Sequence, residues 1–171
     1  MLQPASVGLS AEIPEQMTRL VLGSLPGVQS LEQNQYYAHP RNAFWRIMAN
    51  LYSFDPKLEY NDRLSLLMAQ KIGLWDTIYQ AKRAGSLDSS IDSKSIRVNQ
   101  LHELICEQTS LSRILFNGQT SAKVFRQQVF PLIPVKRLQK LSLLTCPSTS
   151  PAFASMPFDV KLAQWRKALN N

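Results

Sequence analysis

The sequence predicts an α/β fold: a three-layer α/β/α sandwich around a central four-stranded parallel sheet. Two observations lead there. Short apolar runs that stop at turn residues alternate with segments whose apolar residues recur at helical spacing. The runs are apolar at nearly every position, not every second one, which fits strands covered on both faces. Crossovers between parallel neighbours are right-handed and place helices on both sides of the sheet.

Arg19-Leu-Val-Leu-Gly-Ser-Leu25 is the first strand candidate and ends at Pro26-Gly27. Leu74-Trp-Asp-Thr-Ile78 follows Gly73 and is the second. Ser112-Arg-Ile-Leu-Phe-Asn117 stops at Gly118, and Lys140-Leu-Ser-Leu-Leu-Thr145 stops shortly before Pro147. Helices are predicted over residues 43–51 (Phe44, Ile47, Met48, Leu51) and 62–72 (Leu64, Leu67, Met68, Ile72). Three more are predicted over 98–106, 119–130 and 159–169, the last carrying Leu162, Trp165 and Leu169. No internal repeat is present.

The 171 residues suit one domain, 1–171, with residues 1–18 expected to form a peripheral segment. At 44% hydrophobic and 18% charged residues, the composition is that of a folded domain. No apolar run approaches the ~20 residues of a membrane-spanning helix. The first sixteen residues contain no Lys or Arg and no apolar block, so no secretory signal is expected and the cytoplasm is the expected compartment. Nothing in the chain demands an oligomer, and a monomer is expected.

Two cysteines, Cys106 and Cys146, and two histidines, His39 and His102, are too few for a four-ligand structural zinc site or an iron–sulfur cluster. No cofactor is expected. No GxGxxG or GxxxxGK[ST] run occurs, which excludes the usual dinucleotide and P-loop signatures, and GxSxG is missing too. The acids are few and scattered. The candidate loops carry neutral amides, hydroxyls and aromatic rings instead, groups that bind a base and position water but are weak general bases.

The net charge of +7 is uneven. Residues 110–171 hold nine Lys and Arg against one acid, Asp159, while residues 1–109 are nearly balanced. Such asymmetry fits either contact with a polyanion, most simply nucleic acid phosphates, or a solvated basic face. The basic residues on offer are Lys136, Arg137, Lys140, Lys161, Arg166 and Lys167.

In an open parallel sheet, ligands bind beyond the carboxyl ends of the strands. Those ends are Gly23-Ser-Leu-Pro-Gly27, the stretch after Asp76, Asn117-Gly118, and the stretch from Cys146 to Ala152. They are far apart in sequence and are expected to converge in space.

The densest chemistry lies in Gln35-Tyr-Tyr-Ala-His-Pro-Arg-Asn-Ala-Phe-Trp45. Taken in order with Gly23-Ser-Leu-Pro-Gly27, Gly85-Ser-Leu-Asp-Ser89, Phe116-Asn117-Gly118 and Pro147-Ser-Thr-Ser-Pro-Ala152, it resembles the hypoxanthine-DNA (deoxyinosine) glycosylases of the uracil-DNA glycosylase superfamily. The resemblance spans residues 19–171. The stretch Ala38-His-Pro-Arg-Asn-Ala-Phe-Trp45 also resembles the mismatch-specific uracil and thymine glycosylases. In those enzymes an Asn in the first loop orients water; here Leu25 stands at that place and cannot. Cys146 stands where the superfamily often has His or Asn, and Phe153 where a polar residue is usual in the branch.

The resemblance implies a base-excision repair enzyme that flips a deoxyinosine out of damaged DNA and hydrolyses its N-glycosidic bond. The partner is then deoxyinosine-containing DNA, duplex or single-stranded. It makes Asn42 the residue that holds the attacking water; by its residues alone, an Asn before Ala43-Phe-Trp-Arg46 reads as a helix N-cap. Tyr37 is implied as the ring that stacks on the base, with Tyr36 in the core. The Asn117 amide suits the donor–acceptor edge of hypoxanthine and also suits an Asn-Gly turn. Ser24 and Asp76 lie near strand ends and are further base-binding candidates. Ser148, Thr149, Ser150, Pro151 and Phe153 are implied to contact DNA, the serines at phosphates and the last two as a wedge in the vacated stack. His39 reads as a structural hydrogen-bonding residue, and Asp88 and Ser89 as a buttress for the pocket. The alternatives are a glycosylase for uracil or another deaminated base, or a non-catalytic DNA-binding protein on this fold.

Overall fold

A computed structural model describes residues 5–170. The chain runs β1 (Ala5–Val7), β2 (Arg19–Gly23), α1 (Val28–Gln33), α2 (Phe44–Tyr52), α3 (Tyr60–Ala69), β3 (Ile72–Asp76), β4 (Ile78–Lys82) and β5 (Arg97–Val98). It continues through α4 (Leu101–Glu107), β6 (Arg113–Asn117), α5 (Gln119–Val124), α6 (Val135–Leu138), β7 (Ser142–Cys146) and α7 (Phe158–Asn170).

The predicted parallel sheet is present, in the order β3-β2-β6-β7. Alternation along its central strands feeds two cores. Val21 and Leu115 point to one face, where Phe44, Trp45, Ile47 and Met48 of α2, Leu67 of α3 and Trp165 and Leu169 of α7 cover them. Leu20, Leu22, Ile114 and Phe116 point to the other, against Leu101 and Ile105 of α4, Ala122 of α5, and Phe125 and Val129. This double burial explains the continuous apolar runs. No helix of the described residues is long and apolar enough to cross a membrane.

Several boundaries differ from the sequence expectation, for local reasons. The second strand run divides at Thr77. The Thr77 and Ile78 N–H groups donate to the Gly23 and Ser24 carbonyls, and the chain turns out of the parallel sheet. β4 then joins a second, antiparallel sheet, β1-β4-β5, which the sequence did not reveal. In that strand Ile78 and Ala81 are buried while Tyr79 is exposed. Ahead of β2, Glu12 bridges Leu74 and Met17 is fully buried. The third helix stops at Ala69 because Lys71 takes a left-handed φ of 58° and Ile72 begins β3. Val98 belongs to β5 and not to the helix that follows. After α5 the helix widens into one π turn, Phe125–Val129, before Pro131.

Three basic residues close helix ends, Arg19 through the Gln70 and Leu169 carbonyls. Arg137 donates to the carbonyls of Ile105, Gln108 and Leu111 behind α4, and Arg113 to those of Ala168 and Leu169 on α7. Lys161 is 4% exposed, and its Nζ donates to the Phe153 carbonyl. Arg137 and Lys161, both in the basic set read from the sequence, are therefore engaged inside the protein.

Candidate active site

The carboxyl ends of β2, β3, β6 and β7 open into one cavity of about 540 Å³. Ser24, Tyr37, Asn42, Asp76, Asn117, Ser148, Thr149, Ser150, Pro151 and Phe153 all line it. The convergence follows from the parallel topology, which brings four strand ends to one edge.

Asn42 lies in the turn ahead of α2. Its Oδ1 accepts the Phe44 N–H at 3.0 Å, although the helix begins from Ala43. The Ala43 N–H donates to the Thr149 carbonyl at 2.9 Å, so the fourth-strand loop fixes the backbone beside Asn42. One lone pair of Oδ1 and the Nδ2 amide of Asn42 remain outside that cap bond. His39 Nδ1 accepts the Arg41 N–H at 3.1 Å and shapes the same turn.

Tyr37 takes a left-handed φ of 57°, which turns its ring onto Phe44 with centroids 4.0 Å apart. Tyr36 is buried, its hydroxyl donating to the Ser10 carbonyl at 2.8 Å. The Tyr37 Oη is buried beside Asn117 and Asp76 without a well-formed hydrogen bond. Burial, and then the Asp76 charge, push its ionisation up, so it stays a neutral phenol.

Asn117 spans from β6 to the fourth loop. Its Nδ2 donates to Thr149 Oγ1 at 2.8 Å and its Oδ1 accepts the Thr149 N–H at 2.9 Å. The other amide hydrogen faces the Tyr37 hydroxyl, and the pair of bonds pins Thr149, which is 1% exposed. Next to it Gly118 has a φ of 98°, and a Cβ there would meet Ser148 at 3.2 Å, so only glycine fits the joint. In the same loop Ser148 Oγ accepts the Ser150 N–H and Ser150 Oγ accepts the Ala152 N–H. Both hydroxyl hydrogens stay free to donate outward. Phe153 is 38% exposed at the rim.

Asp76 ends β3 at 3% exposure. Its Oδ2 is buried without a partner, and a methyl group on Gly23 would overlap its carboxyl. Burial, reinforced by Asp88 and opposed by Arg83, pushes its pKa up to about 7. The folded protein thus keeps a proton that the unfolded chain releases near pH 4, and its stability falls as pH rises from about 4 to about 7. Cys146 is also buried, and burial pushes its thiol up to about 12.

The sequence reading missed Arg83 and Ser86, which brace the first loop together with Asp88. Arg83 is 6% exposed, and its guanidinium donates to the carbonyls of Leu25 (3.0 Å) and Pro26. Ser86 Oγ accepts the Val28 N–H at 3.0 Å, and Asp88 accepts from Ser24 Oγ at 2.7 Å. An isolated Arg after a strand carries no local sign of this role. Arg83→Met leaves the Leu25 and Pro26 carbonyls without their donor and is expected to cost about 2–4 kcal/mol, read by urea unfolding. A loss below 0.5 kcal/mol would show that the clamp carries no stability.

Among the described residues no Lys or Arg side chain pairs with a carboxylate, so carboxylates do not neutralise the basic second half. The site is therefore a cavity of about 540 Å³ lined with amides and hydroxyls on a cationic domain.

A model of the uracil DNA glycosylase superfamily matches residues 11–170. The chain belongs to that superfamily and is a DNA glycosylase. It is 39% identical over 117 residues to the hypoxanthine DNA glycosylase of Methanosarcina barkeri, covering 68% of this chain and 73% of the relative. It is 34% identical over 118 residues to the enzyme of the same name from Methanosarcina acetivorans, at the same coverage. The solution NMR structure of a Methanosarcina acetivorans protein, named for uracil DNA glycosylase, superposes with a TM-score of 0.78 at 28% identity, over 97% of both chains.

Proposed function

We propose that the protein removes hypoxanthine from deoxyinosine in DNA by a single hydrolytic step, with Asn42 holding the water. The observation that carries this reading is the Asn42 carboxamide: anchored by the Phe44 N–H, it stands in the wall of the cavity at the strand ends. The hypoxanthine specificity is taken from the two relatives of that name.

A base inside a duplex is unreachable, so the nucleotide must be everted, at a cost of a few kcal/mol that is smaller for a mispaired base. The cavity then offers the Tyr37 ring as a stacking face, worth roughly 1–3 kcal/mol, and the Asn117 amide at the base edge. Bond cleavage with dissociative character needs a placed water more than a strong base, and a neutral carboxamide suffices to place it. Ser148 and Ser150 donate to flanking phosphates, and Pro151 and Phe153 enter the vacated stack. Lys136, Lys140, Arg166 and Lys167 add phosphate attraction, which weakens binding as salt rises. The protein acts as a monomer.

Incubation with a duplex containing one deoxyinosine is expected to release free hypoxanthine and leave an alkali-labile abasic site. Borohydride should trap no covalent adduct, since water and not an amine attacks C1′. A panel of uracil, xanthine and ethenocytosine duplexes checks the specificity. Faster release of any of these than of hypoxanthine would reassign the substrate, and tight duplex binding with no released base would reduce the protein to a DNA-binding role.

A further inference from the structure

Cys146 stands at the end of β7 where the superfamily often has His or Asn, and its buried, protonated thiol is a weak donor. The leaving purine still needs stabilisation, because the electron pair of the broken glycosidic bond goes with it. The cavity floor holds another group. Asp76 lines the cavity from the end of β3, is 3% exposed, and has a buried carboxyl oxygen with no partner. The Tyr37 hydroxyl beside it faces Asn117 without a well-formed hydrogen bond. A buried carboxylate without a cation or donor is far more costly than the acid, so the geometry alone favours the protonated form.

Resting on the excision reading above, we propose that Asp76 is a further catalytic residue: a neutral acid that donates a hydrogen bond to the departing hypoxanthine and stabilises the charge developing on it. Gly23 makes the arrangement possible, since any side chain there would displace the carboxyl. The groups that face Asp76 are Tyr36 and Tyr37 from the turn before α2, Asp88 from the 85–90 loop, and Arg83 after β4. Both terminal nitrogens of Arg83 are held by backbone carbonyls, so it forms no ion pair with Asp76. Asp88 opposes ionisation, and its own carboxylate is turned to Ser24.

In the reaction the C1′–N9 bond breaks and its electron pair leaves on the purine, spread over ring nitrogens and the carbonyl oxygen. The Asp76 O–H hydrogen-bonds to that oxygen and keeps its proton. Water adds to C1′, and the proton it loses reaches the purine anion through solvent. The sum is hydrolysis, with Asp76 unchanged.

Single-turnover excision of hypoxanthine from the deoxyinosine duplex, measured from pH 5.5 to 9 for wild type, Asp76→Asn and Asp76→Ala, tests this. Wild type is expected to be flat at low pH and to lose up to about tenfold per pH unit once Asp76 ionises. Asp76→Asn keeps a donor that cannot ionise; it should be slower than wild type at pH 6 and flat across the range. Asp76→Ala should be about 10²–10³-fold slower at pH 6. The nearly isosteric Asn variant carries the test if the Ala variant fails to fold. An alkaline decline in Asp76→Asn matching that of wild type, or Asp76→Ala within threefold of wild type at pH 6, would overturn the proposal while leaving the excision reading intact. No release by wild type at any pH would overturn both.

Discussion

Asn42→Ala is expected to lower single-turnover base excision by on the order of 10²–10³-fold, because a water no longer aimed at C1′ forfeits positioning. The same change removes the acceptor of the Phe44 N–H and is expected to cost about 1 kcal/mol, a few degrees in Tm. The two effects separate in Asn42→Asp. An aspartate side chain still accepts the Phe44 N–H, so stability should stay near wild type while excision changes. Equal excision by wild type and Asn42→Ala would show that this amide does not hold the water. Equal excision with a lowered Tm would make Asn42 a helix cap and nothing more.

The second large effect falls on Trp165. The ring is fully buried among Phe44 and the residues of α2 and the parallel sheet, and its Nε1 donates to the Pro147 carbonyl at 3.0 Å. Trp165→Ala is expected to destabilise by about 3–5 kcal/mol in thermal or urea unfolding. Trp165→Phe keeps most of the packing and removes only the bond to Pro147, at a cost of about 1 kcal/mol. Pro147 opens the loop whose Thr149 holds Ala43 and Asn117. Trp165→Phe should therefore slow excision more than its stability loss explains. Wild-type excision by Trp165→Phe would show that Thr149 holds the loop without help from α7.

Much of the scaffold was legible. β2 and β6 stand out because burial on both faces forces an unbroken apolar run, while β7, a half-buried edge strand, is marked by Leu143-Leu144 and the turn at Pro147. α2 and α7 stand out because one face of each packs on the sheet. β1 and β5 escaped because they are three- and two-residue strands, and β4 because its partial burial, with Tyr79 exposed, breaks the apolar run. α1, α6 and the π turn escaped because one or two turns of helix carry no full period of apolar residues.

The site was legible as a list of residues and not as a set of states. Asn42, Tyr37, Asn117 and Asp76 each sit in a motif or at a strand end that a reader of the sequence can mark. That Asn117 is bound face to face with Thr149 across 32 residues of chain is invisible there. The same holds for the Arg83 clamp on the first loop, which bridges 58 residues.

By itself the sequence determined the layered α/β architecture, the edge at which the four loops gather, and the amide-rich, base-poor character of the site. These depend on periodicity and turn chemistry, which act over a few residues. Only the tertiary structure decided which amide hydrogens remain free, which cations are engaged inside the protein, and that the Asp76 acid is buried without a partner. Those properties come from desolvation and from contacts between segments distant in the chain, and both exist only once the strands have brought the loops together.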